Sequence, residues 1–278
     1  MPVTSVAEPR RHPVVGSQLV RRWGPEDDPV AEIVLVHGIA EHSGRYERTG
    51  NLLAEAGFGV TSADLIGFGA TGGRRGDVAD WAHFLDQIQV LVEEARQTGR
   101  PTVLMGHSMG GLLALEYVLS ERPGPDLLVL SAPGLEGGAA WQRAAAPILG
   151  RLVPRLRIPN ALKGEQLSRD PAVGASYFAD PLVLTATCTR LGAALFAAME
   201  RTRSAVTGLE MPTLVIHGGL DTIVPPTATV ELGQLPTVQR RLYPTLRHEL
   251  LNEPEGPAIV SEIAEWIRAG LGSGEVDD

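Results

Sequence analysis

The sequence lacks several features that define particular classes of protein. It has one cysteine, Cys188, in 278 residues, so no internal disulfide and no dependence on an oxidising compartment are expected. No run of about 18 apolar residues occurs, so no membrane-spanning helix is expected. The N-terminal segment MPVTSVAEPRRHPVV has no continuous apolar stretch behind its two arginines, so it does not resemble a secretory signal. A cytoplasmic protein is the default expectation.

Positive charge is also scarce. The chain has 24 Lys and Arg against 33 Asp and Glu, a formal net charge of −9. Nucleic-acid binding needs a basic surface, so the composition argues against a nucleic-acid partner. It also argues against a polybasic contact with anionic lipid. With 44% hydrophobic and 21% charged residues, the chain can bury a substantial core, and its length suits one large α/β domain with an inserted subdomain.

Strand and helix patterns alternate along the first half of the chain. Short, β-branched apolar runs are typical of strands buried on both faces of a parallel sheet, and segments of helical periodicity stand between them. This alternation predicts a doubly wound, mostly parallel sheet with helices on both faces, preceded by a β-hairpin and the turn-rich GPEDDP. The predicted strands include Ala31–Gly38, Thr102–Ser108 and Leu127–Pro133, and the predicted helices are Tyr46–Ala56, Asp77–Thr98 and Met109–Arg122.

The regular pattern stops after Pro133 and resumes with the strand Pro212–Gly218. The intervening residues are rich in Ala, Leu, Arg and Pro, with weak helical periodicity and no convincing strand. We therefore predict an α/β core of residues 1–133 and 209–278 and a helical cap, residues 134–208, inserted between two sheet strands. Most of the cap's aliphatic side chains are expected to pack within the cap, and some to face the active-site entrance: Ile148, Leu149, Leu152, Val153, Leu156, Ile158, Leu195 and Phe196.

The segment Gly106–Gly111, GHSMGG, contains G-x-S-x-G between an apolar strand and a helix. This context predicts a sharp strand-to-helix turn that projects Ser108 above the carboxyl edge of the sheet. Gly106 and Gly110 lack a Cβ, so neighbouring backbone can pass close to the turn, and His107 is expected to point away from the nucleophile. The alternative is a tight turn with a bystander serine. We predict that Ser108 is a catalytic nucleophile.

A serine hydroxyl needs a general base near neutral pH, and His248 is the candidate. It follows the last predicted strand, Arg240–Tyr243, and precedes the predicted C-terminal helix, Pro254–Leu271. The order Ser…Asp…His of G-x-S-x-G hydrolases places the base there. The alternative is a histidine in a surface loop, and the remaining histidines are interpreted as surface, packing or loop residues.

The acid that orients this imidazole is predicted to be Asp221. It stands in HGGLDTIVP, just after the strand Pro212–Gly218, at the edge where open α/β sheets carry functional groups. An acid there fixes the tautomer of the base and stabilises its imidazolium form. The alternative is an aspartate that caps a turn. Ser108, Asp221 and His248 follow strands in the expected order, which favours a catalytic triad.

The developing oxyanion needs amide donors. The backbone N–H of Met109, directly after the nucleophile, is one candidate, and the N–H of Ile39, in the loop after the first buried strand, is the other. The turn Asp64–Gly69 has two glycines but not the spacing of a dinucleotide fingerprint, so we interpret it as structural. Histidines and carboxylates show no metal-ligand spacing, and neither a metal nor another cofactor is expected.

At these motifs the sequence resembles the monoacylglycerol lipase family of α/β-hydrolases, which is often grouped with lysophospholipases. Ala40 stands where the family usually has glycine, and DLIGFGATGG stands where it commonly has a more polar turn. The matching segments are HGIAEHSGRY at His37–Tyr46, GHSMGG, LSAP at Leu130–Pro133, SRDP at Ser168–Pro171, DPLV at Asp180–Val183, HGGLDTIVP at His217–Pro225 and HELLNEPE at His248–Glu255.

The resemblance implies the same site residues: Ser108, Asp221 and His248 as triad, and Ile39 and Met109 as oxyanion amides. It also implies an amphipathic cap that contacts membranes and admits single-chain glycerol esters. We therefore expect hydrolysis of an acyl ester, with monoacylglycerol as the leading substrate. The alternatives are a short- or medium-chain carboxylesterase, a lysophospholipase, an aminopeptidase, or a non-catalytic ligand-binding protein on the same fold.

Overall fold

The computed structural model describes residues 5–25 and 28–272. Within them, the main sheet has eight strands in the order β1-β2-β4-β3-β5-β6-β9-β10. The six strands from β4 to β10 in this order are parallel, and the hairpin β1–β2 joins β4 antiparallel. The predicted doubly wound, mostly parallel sheet is confirmed. The sheet strands are β1 Val6–His12, β2 Gly16–Trp23, β3 Glu32–Val36, β4 Gly59–Ala63, β5 Thr102–His107, β6 Leu127–Ser131, β9 Thr213–Gly218 and β10 Val238–Tyr243.

Helices cover both faces of the sheet, and the alternation of side chains along each strand supplies two cores. The α-helices in the described part of the chain are α1 Glu47–Glu55, α2 Ala82–Gln97, α3 Met109–Val118, α4 Ala140–Leu152, α5 Gly164–Leu167, α6 Pro171–Ala179, α7 Thr189–Ala205 and α8 Gly256–Gly272. In β3, Ile33 and Leu35 pack towards α1 and α8, whereas Val34 and Val36 pack towards α2 and α3. Helix α7 adds Leu191 to the core that contains Val34 and Val36.

Between β6 and β9 the chain leaves the main sheet, and we refer to these residues, 132–212, as the insertion. It contains α4 to α7, and it also contains a small antiparallel pair, β7 Arg157–Pro159 with β8 Ala186–Cys188. The expectation that this region has no strand was therefore wrong. Each strand has three residues and β7 is exposed throughout, so no alternation of buried and exposed side chains marks it in the sequence.

Several boundaries differ from those expected. Helix α2 begins at Ala82 rather than Asp77, and the Asp80 carboxylate accepts the N–H of Ala82 at 3.0 Å at this start. Helix α3 ends at Val118 rather than Arg122. Part of the predicted GPEDDP turn, residues 26–27, lies outside the described residues, as do the two ends of the predicted core, 1–4 and 273–278.

The turn between β5 and α3 is strained and closely packed. Ser108 has φ +52°, ψ −121°, a conformation that L-residues adopt only when their surroundings enforce it. A Cβ on Gly106 would collide with the carbonyl of Gly110, and one on Gly110 would collide with the carbonyl of Val36. The two glycines therefore let β3, β5 and α3 approach closely enough to hold Ser108 in this conformation.

Substitution Gly110→Ala is expected to lower the free energy of unfolding by about 2–3 kcal/mol, because the new methyl group meets backbone that cannot move aside. Gly192→Ala, inside α7, is the matched control, since its Cβ would meet nothing within 4 Å. It should be neutral or stabilising by about 0.5–1 kcal/mol. Denaturant unfolding measures the free energy of unfolding of both variants. An equal decrease in Gly110→Ala and Gly192→Ala would contradict the close-packing explanation.

Candidate active site

Ser108 lies at the carboxyl edge of the sheet, beside the predicted oxyanion loop. Its N–H donates to the carbonyl of Ser131 at 3.0 Å, which fixes the turn to β6. A Cβ on Gly38 would lie 3.2 Å from the Cβ of Ser108, so the loop after β3 runs directly against the predicted nucleophile. Met109 is the first residue of α3, where a backbone N–H has no intrahelical acceptor. The structure thus brings Ser108, Met109 and the loop with Ile39 together.

Asp221 and His248 form a buried pair at the same edge. His248 Nδ1 lies 2.7 Å from Asp221 Oδ2, and both side chains are almost completely enclosed. A carboxylate only accepts, so Nδ1 carries the proton and Nε2 is left as the acceptor that a general base requires. The other oxygen of Asp221 accepts the backbone N–H groups of Ile223 and Val224 at 2.8 and 3.0 Å.

A second histidine supports this acid. His217 Nε2 lies 3.0 Å from the carbonyl of Val224 and 3.3 Å from Asp221 Oδ2, so its N–H points at both. Burial raises the pKa of Asp221, but hydrogen bonds from His217 and His248 outweigh it and place the pKa well below its usual range. Asp221 is therefore ionised at neutral pH. The sequence expectation of a packing or loop role for His217 missed this contact, although its position four residues before the acid was visible.

His107 does not point away from the site as expected. Its ring lies 4.8 Å from the ring of His248, and its Nδ1 lies 3.1 Å from the carbonyl of Ser131. Burial and the neighbouring His248 lower the pKa of His107 to about 4. A neutral His107 therefore forms one wall against which the imidazole of His248 packs.

A buried ion cluster connects the oxyanion loop to the His248 loop. The Arg45 guanidinium donates to Glu41 at 2.6 Å and to both carboxylate oxygens of Glu249 at 2.7 and 2.9 Å. Glu41 also accepts the N–H of Gly38 at 2.6 Å and the hydroxyl of Tyr46 at 2.7 Å. Burial raises the pKa of the Glu41 carboxyl, but Arg45 and the other donors lower it to about 2. Sequence patterns did not reveal this cluster, because Glu249 lies 204 residues after Arg45 along the chain.

A mainly apolar cavity of about 320 Å³ opens over Ser108. The core contributes Ile39, Met109, Ile223 and Val224 to the wall around Ser108, and the insertion contributes the rest. Four of the eight aliphatic residues singled out in the cap face this cavity, as was expected of some of them, and others are exposed to solvent, so the expectation that most of them pack within the cap was wrong. Leu149, Ile158, Leu195 and Phe196 line the cavity, and Ile148, Leu152, Val153 and Leu156 are exposed.

Two further sequence interpretations concern the structural turn and metal binding. Asp64 is fully buried, and its carboxylate accepts from the backbone and hydroxyl of Ser43 and from the N–H of Ala70, as a structural turn requires. Among residues 5–25 and 28–272, no group of three or more His, Cys, Asp or Glu side chains is arranged to hold a metal ion. Within the same ranges, no helix has the length and apolar character needed to cross a bilayer.

Comparison with known proteins agrees with this geometry. A family model described as serine aminopeptidase, S33, matches residues 27–255. The chain belongs to this family of α/β-hydrolases. A relative named monoacylglycerol lipase, from Mycolicibacterium smegmatis, is 34% identical and the match covers 90% of this chain and 92% of the relative. Family members also include phospholipase YtpA of Bacillus subtilis, 30% identical over 82% of this chain and 92% of its own length.

Solved structures in the family share the fold. The crystal structure of Paleococcus ferrophilus monoacylglycerol lipase superposes with a TM-score of 0.82 at 31% identity, covering 90% of this chain and 98% of that one. The resemblance to monoacylglycerol lipases and their relatives stated from the sequence motifs is confirmed. The names of these family members span lipases and a phospholipase, so family membership alone leaves the substrate to be argued from the site.

Substitution Arg45→Met is expected to lower the free energy of unfolding by about 3–5 kcal/mol at pH 7, since it leaves Glu41 and Glu249 buried without their cation. In the wild type the depressed pKa of Glu41 contributes stability above about pH 4.5, and this contribution is lost as the pH falls towards 2. The difference between variant and wild type should therefore be largest at pH 7 and narrow below about pH 4.5.

The matched control is Arg201→Met, which breaks an ion pair with Glu116 in which the arginine side chain is 54% exposed. It should change the free energy of unfolding by no more than about 0.5 kcal/mol at either pH. Urea unfolding at pH 7 and pH 4 measures both variants. If Arg45→Met lowers the free energy of unfolding equally at both pH values, packing rather than buried charge holds the two loops together.

Proposed function

We propose that this protein hydrolyses monoacylglycerols to fatty acid and glycerol through an acyl-Ser108 intermediate. The observation that carries the proposal is the position of Ser108, on a strained turn beneath an apolar cavity, with the buried Asp221–His248 pair at the same sheet edge. Family membership supports ester hydrolysis, and the family members named as monoacylglycerol lipases support this substrate.

In the proposed reaction, His248 Nε2 takes the proton of Ser108 as Oγ attacks the ester carbonyl carbon. The N–H groups of Ile39 and Met109 stabilise the resulting oxyanion. The C–O bond to glycerol then breaks, and the His248 imidazolium protonates the leaving alcohol. Water, deprotonated by His248, then attacks the acyl carbon; the bond from this carbon to Ser108 Oγ breaks, the His248 imidazolium returns the proton to Oγ, and the fatty acid leaves. Asp221 stays ionised throughout and stabilises the imidazolium.

The size and lining of the cavity support a single-chain ester. A volume of about 320 Å³ lies at the lower end of ligand pockets, so it suits one acyl chain rather than two. Its wall is mostly aliphatic, with a few polar groups such as Glu136, Asn160 and Thr187. A lysophospholipid or a shorter ester also has one chain, so those substrates are the alternatives that an ester-length profile must separate.

We further propose that residues 134–208 act as a cap over the active site and contact membranes. Trp141, Ile148 and Leu152 of α4 are 69%, 61% and 72% exposed, an arrangement that costs free energy in water and gains it at a lipid interface. The net charge of the whole chain does not describe this surface, because residues 137–164 contain no acidic side chain. Their five basic side chains are all exposed: Arg143, Arg151, Arg155, Arg157 and Lys163.

Hydrolysis of monoacylglycerols and p-nitrophenyl esters from C2 to C16 tests the chemistry. Ser108→Ala should lower the rate about 10³-fold or more, because the members of a triad act as a unit. Ser120→Ala, at an exposed serine beyond α3, is the control and should keep wild-type rates. Monoacylglycerols of medium or long chain should be the preferred substrates. Reaction of short esters alone would leave the nucleophile assignment standing and remove the lipase assignment.

Sedimentation with phosphatidylcholine vesicles, with and without an anionic lipid, tests the membrane contact. Leu152→Ser should weaken binding several-fold, since it removes apolar surface from the proposed contact. Val230→Ser changes a side chain that is 45% exposed and directly follows the short helix Pro226–Thr229, and it should bind as the wild type does. Added anionic lipid should strengthen binding of all three proteins. Equal weakening in both variants would refute a contact made through the insertion.

A further inference from the structure

The carboxylate of Glu253 joins the loop that carries His248 to the insertion. Glu253 is completely buried. One of its oxygens accepts the N–H of Arg247 at 2.8 Å. The other accepts three donors from the insertion, namely the Ser168 hydroxyl at 3.0 Å and the backbone N–H and Nε of Arg169 at 2.9 and 3.2 Å. This acid therefore links two segments that are distant in sequence, with Arg169 as its cation.

The backbones of the same two segments run side by side. Residues 166–168 of the insertion present their carbonyl groups to donors on residues 247–249, so each residue of the short stretch around His248 has a partner there. The three contacts are His248 N–H to Gln166 O at 3.4 Å, Glu249 N–H to Leu167 O at 2.8 Å, and Arg247 Nη1 to Ser168 O at 3.0 Å.

This support matters because the main sheet does not hold His248. The residue lies in the loop between the end of β10 at Tyr243 and a single turn of 3₁₀ helix at Leu250–Asn252. The contact with Asp221 fixes one ring nitrogen, but the direction of the imidazole also depends on where its backbone lies. Residues 166–169, bound through Glu253, supply that backbone position.

We propose that Glu253 is a positioning residue for His248, and that it makes the segment 166–169 of the insertion part of the support for the general base. The proposal rests on the role assigned to His248 in the proposed function. A buried carboxylate suits this position, because four donors converge on it and a neutral amide cannot accept them all.

Substitution Glu253→Gln tests the role with little change of shape. The NH2 group of the glutamine must face at least one of the four donors, so the link between residues 166–169 and 247–249 weakens. We expect kcat to fall about 10- to 100-fold, as when a catalytic group is misplaced by about 1 Å, with KM within about threefold of wild type. Glu255→Gln is the matched control, since Glu255 pairs with the same Arg169 but is exposed. It should keep wild-type kcat.

A low-field proton NMR spectrum provides a readout that needs no substrate. The Nδ1 proton of His248, held against Asp221, should give a resonance in the wild type and in Glu255→Gln and should broaden or vanish in Glu253→Gln. If Glu253→Gln does not fold, Ser168→Ala carries the test, because it removes one donor to Glu253 and should lower kcat about fivefold.

The outcomes separate this proposal from the proposed function. Retention of kcat within about twofold in Glu253→Gln, or an equal loss in Glu255→Gln, would overturn the positioning role. If the wild type hydrolyses no ester, the proposed function fails, and the proton resonance then decides the positioning role alone. An unchanged resonance in folded Glu253→Gln overturns it, and selective loss of the resonance supports it.

Discussion

The guanidinium of Arg45 lies between two buried carboxylates, and the rest of the site depends on this arrangement. Glu41 accepts the N–H of Gly38 at the start of the oxyanion loop, and Glu249 directly follows His248. Charges buried this deeply are tolerated only when each has its partners. Neither loop can therefore shift without leaving a charge unpaired. The position of the predicted oxyanion loop relative to the imidazole of His248 therefore depends on these buried ion pairs.

The insertion is held to the core unevenly. Around α6 and β8, His42 bonds to Asp180 at 2.8 Å, and the carbonyl of Ala40 accepts the N–H of Leu184 at 2.8 Å. Together with the contacts of Glu253, these bonds fasten this part to the loops of the site. Helix α4 packs on α7 and buries one residue, Ala146. The hydrogen bonds that hold residues 247–249 come from residues 166–168, whereas α4 contributes to the wall of the cavity.

The sheet and the residues of the proposed triad could be predicted from sequence because their causes are local. A buried parallel strand is a continuous apolar run, and the turn at Ser108 requires glycine at Gly106 and Gly110, where the structure leaves no room for a Cβ. The contacts that hold the site in place, in contrast, join residues that are distant in sequence. Glu253 reaches Ser168 and Arg169 across the whole stretch that includes α6, α7 and β9, and no spacing rule connects them. The strands β7 and β8 are too short for any periodicity to mark them.

The size of the cavity depends on another feature that periodicity describes poorly, the approach of α4 to α7. A Cβ on Gly150 would lie 2.7 Å from the Cβ of Ala193, so the two helices meet through their smallest side chains. Pro147 removes one backbone donor inside α4, which makes the position of this helix more dependent on that contact. Small residues produce only a weak amphipathic pattern in a sequence. At this contact, however, they determine the distance between the cavity walls formed by α4 and α7. The predicted chemistry of the site depends on residues at the ends of the strands, and the width of the cavity above Ser108 depends on this helix crossing.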